Sequence, residues 1–355
     1  MKQHLFLVIT ALLLVPTACE PEVQSDKPLQ RPSHVLSGSN AGAGFPNNAL
    51  TVFDAATWQM HRQVSIPRSR AKNFSRDPQG RIWIGFSGSI QKSDDRLQVY
   101  SPQGELLKTL NPCVDPEAGI NFAAGRAFVV CAEKGFSGKV VVLNLETLAI
   151  EKTIALSLPD KPLLLISSAA SEEAVVVVGS GVITLIDPRS LTVQAQLRPG
   201  ENVDIWRIIP HQGRFYLLNV GSWQQPREQA DDVLVLEPGN APRITPLALA
   251  PSPLWGAIAG DALYVYHNPT WNQANSDSSR QMSRLDLTSK EVRTWQLPDG
   301  WDASDLAVID GKVVLARWLG SGGAEDGLYE FDPVSGQVRR QLLNVADASG
   351  VIGPR

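Results

Sequence analysis

Tryptophan is where this sequence concentrates its capacity for recognition. The chain has nine, and six of them form two series in its second half. Trp206, Trp255 and Trp301 stand near the starts of apolar segments. Trp223, Trp271 and Trp318 each follow a later apolar segment, the first two within polar stretches. Broad amphipathic indole rings stack on sugars and flat ligands, or anchor a protein partner. Arg207, His267 and Arg317 lie beside them and would add polar contacts. Trp206 and Trp255 sit within strand-like alternation, where filling space between neighbouring elements is the expected role. Trp223 and Trp271, in polar surroundings, point to surface binding. A lone histidine such as His267 is first of all a packing or solvated residue.

Catalysis would require converging acid–base groups or a metal. The five histidines are scattered at positions 4, 34, 61, 211 and 267, with no pair at metal-ligand spacing. Gly88 and Ser89 lack the strand–turn–helix setting of a hydrolase nucleophile. The glycines of 320–323 have no Lys-Ser/Thr after them and make no phosphate loop. The acid pairs at 94–95, 231–232 and 325–326 read as solubilising loop residues. Oxygen donors remain: Glu117, Asn202, Asp204, Asp302 and Asp347. Their chemistry suits calcium, with Asp204, Asp302 and Asp347 as the candidate metal set. Otherwise no cofactor is expected.

The composition, 43% hydrophobic and 19% charged, is that of a folded chain with a large core. A formal charge of −4 gives no case for nucleic acid, which needs a basic face, nor for a polybasic membrane patch. The N-terminus reads as an export signal: Met1 and Lys2, an apolar run over 5–15, then VPTAC ending at Cys19. The run is too short to span a bilayer. The VPTAC segment resembles the bacterial lipobox, although Pro16 replaces the usual Leu. That resemblance implies lipid on Cys19, a signal peptide over 1–18 and membrane contact through the anchor alone. Glu20 follows Cys19, not the Asp that retains many lipoproteins at the inner membrane. The implied location is the outer membrane, facing the periplasm or the outside. The proline-rich stretch 19–33 reads as a tether. Cys113 and Cys131 are the remaining pair, and an exported chain makes them disulfide candidates, with two buried thiols as the alternative.

The elements that must position these residues come from a repeat. Asp54, Ser101, Asn144, Asp187, Glu237, Asp286 and Asp332 each open a turn between two alternating apolar segments. The side-chain oxygen accepts from N–H groups just ahead, and a proline in the next place presets φ. Another hairpin precedes each turn, as in 120–124 with 127–130, 162–167 with 174–178, and 257–259 with 262–266. Four antiparallel strands per period of roughly 46 residues describe a β-propeller blade. No long segment has helical periodicity. The first turn has a single strand upstream, at 34–37, while 348–352 is an inner strand lacking a partner. The expectation is one all-β domain over 34–355. It is a seven-bladed β-propeller of four-stranded antiparallel blades, closed by the C-terminal strand joining the first blade.

The segments NNALTVFDAATWQMHRQVSI and GKVVVLNLETLAIEKTI resemble the repeat of YVTN/YncE-type propellers. The tetrad itself is absent, with Tyr264 to His267 in an equivalent stretch, and only Trp295 fits the docking tryptophan of quinone-binding propellers. The resemblance implies the fold, and binding more than catalysis. Long connections at 221–231, 268–280 and 319–326 gather on blades five to seven with the tryptophans. The leading expectation is therefore an envelope binding module for a protein or small-molecule partner through that loop face. A metal-dependent, lactonase-like hydrolase and a structural envelope-assembly scaffold are the alternatives.

Overall fold

The computed structural model describes residues 29–37, 48–67, 70–87, 94–116, 119–132, 138–156, 166–179, 181–200, 203–221, 230, 232–268, 280–298, 300–317 and 325–354. Their strands form seven four-stranded antiparallel sheets. Blade one holds β1 (Pro32–Ser37), β2 (Ala49–Asp54) and β3 (Gln59–Ser65). Blade two holds β4 (Arg70–Arg76), β5 (Ile82–Ser87), β6 (Leu97–Tyr100) and β7 (Leu106–Leu110). Blade three holds β8 (Ile120–Ala123), β9 (Arg126–Ala132), β10 (Gly138–Asn144) and β11 (Ile150–Leu156). Blade four holds β12 (Ile166–Ala170), β13 (Val175–Gly179), β14 (Val182–Asp187) and β15 (Thr192–Leu197). Blade five holds β16 (Ile205–His211), β17 (Arg214–Asn219), β18 (Asp232–Glu237) and β19 (Arg243–Ala248). Blade six holds β20 (Pro253–Ala259), β21 (Ala262–His267), β22 (Gln281–Asp286) and β23 (Val292–Gln296). Blade seven holds β24 (Ala303–Ile309), β25 (Lys312–Arg317), β26 (Gly327–Asp332) and β27 (Gln337–Asn344).

The last strand, β28 (Ala348–Ile352), is the innermost strand of blade one, pairing antiparallel with β1. Val35 lies opposite Val351. The expected seven blades and their closure are therefore present. The innermost strands β28, β4, β8, β12, β16, β20 and β24 neighbour one another around a closed ring.

Burial explains the sequence pattern. Strands in the middle of a blade face a neighbouring blade on each side, so β2, β5 and β13 are buried along their whole length. They read as continuous apolar runs, as expected for strands covered on both faces. Outer strands such as β7 and β15 are mostly exposed. Seven apolar clusters each fill one gap between adjacent blades, including the gap between the last blade and the first.

One boundary differs from expectation. β1 begins at Pro32, two residues before 34, because the Asp54 carboxylate holds the chain ahead of it, accepting from the Gln30 N–H at 2.7 Å and the Arg31 N–H at 3.4 Å. In blade four, residues 162–165 of the expected strand lie outside the described residues, and Ile166–Ala170 is strand. Cys113 and Cys131 form a disulfide with Cα atoms 6.2 Å apart, as the cysteine count suggested. Across the first blade gap, buried His34 takes a hydrogen bond from Arg76 on Nδ1 at 2.8 Å and donates from Nε2 to the Pro102 carbonyl at 2.9 Å.

Candidate functional site

The innermost strands of blades five, six and seven share an irregularity near their first residues. The register of β16 with β17 skips one residue between Ile205 and Arg207. The same skip occurs between Pro253 and Trp255 in β20 and between Ala303 and Asp305 in β24. A bulge of this kind bends the strand and re-aims the side chains beside it. Arg207, Trp255 and Asp305 therefore hold equivalent places on three successive blades.

They meet. The Arg207 guanidinium lies 5.8 Å from the centre of the Trp255 ring, and its Nη2 is 3.8 Å from Asp305 Oδ1. Arg207 thus reaches from blade five past blade six to blade seven. Trp206, the residue skipped in β16, meets Trp255 edge to face at 5.8 Å. Both indoles are partly buried and rest on the apolar cluster between blades six and seven. Asp305 is buried, and its oxygens accept the N–H groups of Leu306 at 2.9 Å and Val351 at 3.0 Å. Burial raises its pKa; the Arg207 charge and the two N–H bonds act in the opposite direction. Asp305 escapes sequence reasoning, although an acid inside the apolar alternation of 303–309 is a signal in itself.

The structure thus brings Trp206, Trp255 and Arg207 together. It moves three other candidates inward. Trp301 is buried, packed edge to face on Tyr329 at 5.0 Å and covered by the Arg317 guanidinium at 4.9 Å. Arg317 in turn pairs with Glu325 at 3.0 Å. These two form a stacked layer of the blade-seven core, not an open binding surface. His267 is fully buried with Nδ1 3.2 Å from the Pro251 carbonyl, and burial lowers its pKa to about 4. It is a neutral packing residue, out of reach of a surface ligand. Trp223, Trp271, Trp318 and Cys19, with Glu117 and Asn202, lie outside the described residues.

The candidate metal set is not assembled. Among the described residues no three His, Cys, Asp or Glu side chains come together to hold an ion. Asp302 is engaged by Arg280, with Nε 2.8 Å from Oδ1, and also accepts from Tyr266 and Asn268, each at 3.3 Å. Asp347 is buried with a left-handed φ of 52°, and its N–H donates to Asp326 Oδ2. Asp204 uses its backbone carbonyl to accept the Val220 N–H at 2.9 Å. Asp302 and Asp347 each tie the chain to the preceding blade, through Arg280 and Asp326 respectively. No helix among the described residues is long and apolar enough to cross a membrane.

Below Arg207 the central channel holds a cavity of about 480 Å³ between β16, β20, β24 and β28. The sequence matches no family model and no curated protein. Solved structures do resemble it. A functionally unknown protein from Desulfotomaculum acetoxidans DSM 771 aligns over 92% of this chain and 99% of its own, with a TM-score of 0.66 and 11% identity. A candidate 6-phosphogluconolactonase from Bacteroides uniformis ATCC 8492 aligns over 92% and 100%, with a TM-score of 0.66 and 10% identity. BamB from Moraxella catarrhalis aligns over 92% and 91%, with a TM-score of 0.56 and 13% identity. At such identities the likeness establishes the shared architecture alone, and the chain is a seven-bladed β-propeller.

Proposed function

We propose that this chain is an exported, lipid-anchored binding module that docks a protein partner through the rim of blades five to seven. The observation that carries the reading is the contact of Trp206, Trp255 and Arg207 across two blades. Half-buried indoles next to an arginine are the residue types that dominate protein interfaces. The Cys113–Cys131 disulfide supports export, since such bonds persist in oxidising compartments. The VPTAC sequence before Glu20 supports attachment through Cys19. A lactonase-like reading draws on the fold of neighbours at about 10% identity, and among the described residues the acids assigned to it do not come together.

The test is affinity capture from envelope extract on the immobilised chain, quantified by mass spectrometry. A partner that contacts the rim drops at least tenfold with Trp206→Ala/Trp255→Ala, while the melting curve confirms that the variant is folded. Trp223→Ala/Trp271→Ala gives the same loss if the adjoining connections share the surface. A capture profile identical for folded rim variants and the parent would remove the rim as the site.

A further inference from the structure

The channel cavity has its own chemistry. Its walls are of mixed character: Ile208, Ile209, Ile258, Leu306 and Val351 supply apolar surface, and polar groups make up a comparable share. A volume of about 480 Å³ with such a lining suits a small organic molecule. Two lining residues carry ionisable side chains, Arg207 and His211. They stand four residues apart on one strand, about 13 Å along it.

Arg207 is the distinctive wall group. Its side chain is 39% exposed, and the carboxylate facing it stands 3.8 Å away, beyond hydrogen-bond reach. That carboxylate also accepts the Leu306 and Val351 N–H groups, one on each oxygen. One face of the guanidinium rests on Trp255. The guanidinium lies between the Trp255 ring and the Asp305 carboxylate and lines the channel, and a fork of this kind matches an oxyanion in bidentate fashion. Farther along the strand, His211 Nε2 is buried and has no hydrogen-bond partner among the described residues.

We infer that the channel binds a small amphipathic anion. Its carboxylate or similar oxyanion sits on Arg207, and its apolar body lies along β20, β24 and β28. The inference is separate from partner docking on the rim, because it concerns a soluble small molecule and is read without any protein partner.

The experiment uses decanoate and decanol as probes, titrated into the purified full chain by calorimetry with the melting temperature followed in parallel. Decanoate is expected to bind at one site and raise the melting temperature, and decanol to bind at least tenfold more weakly. Arg207→Met abolishes that preference. Arg207→Lys keeps the charge without the fork and retains a reduced preference. Arg243→Met, on the outermost strand of blade five where it pairs with Glu237 at 3.6 Å, leaves the preference intact. Equal binding of the two probes by the parent chain, no binding of decanoate, or a preference that survives in Arg207→Met would each overturn the inference. The parent comparison needs no variant, so misfolding of Arg207→Met does not protect it.

Discussion

His34 and His267 are carried inside the ring as neutral groups. Burial, joined for His34 by the Arg76 charge, brings their pKa values from the ordinary 6.5 to about 3 and about 4. Between pH 6.5 and about 4 the unfolded chain therefore holds protons on both that the native state lacks. Stability must fall as pH is lowered through that window, by up to about 1.4 kcal/mol per pH unit for each histidine. The urea midpoint is expected to be lower at pH 5 than at pH 7, and His267→Phe should narrow the difference. An equal difference in that variant would show that His267 is not among the groups responsible. At this scale the sequence was only half legible. Trp206 and Trp255 read as space-filling residues of strand-like segments, and both are partly buried on the cluster between blades six and seven. The burial of Trp301 depends on side chains far off in sequence, Tyr329 and Arg317, and no local pattern encodes that.

The turns were legible because their chemistry is local. Asn144, Asp187 and Asp286 each accept from the N–H groups two and three residues ahead. In five of the turns the opening residue's carbonyl takes the N–H four residues on, and that residue adopts a left-handed φ: Trp58, Leu148, Leu191, Lys290 and Gly336. Glu237 departs from the pattern. Its longer side chain turns to Arg214 and Arg243 instead. The bulges at the rim were not legible, since no glycine or proline marks the skipped Trp206 or Ser304. The turn of blade seven also docks its neighbour: a Cβ on Gly336 would stand 1.9 Å from Trp295 Cδ1, and Arg293 lies over the same indole at 4.9 Å. Gly336→Ala must therefore displace Trp295 in addition to straining a φ of 76°. Overpacking of this kind costs about 1–3 kcal/mol. Gly311→Ala has a similar φ of 75° with no atom near its Cβ, so it isolates the backbone contribution. Thermal denaturation should rank Gly336→Ala clearly below Gly311→Ala, and equal melting temperatures would show that the indole yields without cost.

The whole molecule is held by its seam. Blade one takes three strands from the start of the chain and one from its end, and the apolar cluster there joins Val35 and Phe53 to Ile309, Val314 and Val351. Ser349 adds a hydrogen bond to the Leu36 carbonyl at 2.9 Å, and the buried Asp305 accepts from the Val351 N–H. Deleting residues 348–355 leaves an open edge on β1 and an uncovered cluster. The expected result is loss of the single cooperative unfolding transition and rapid proteolysis, read by circular dichroism and limited trypsin digestion. A truncated chain that melts like the parent would show that six blades and a partial seventh suffice.

The pairing of Val35 with Val351 also sets when the molecule can finish folding. Contacts spanning nearly the full length are slow to form because a very long segment must be brought back on itself first. The opening strands therefore wait, unable to find their innermost neighbour until β28 has been made. Native closure is deferred behind the synthesis of every other blade.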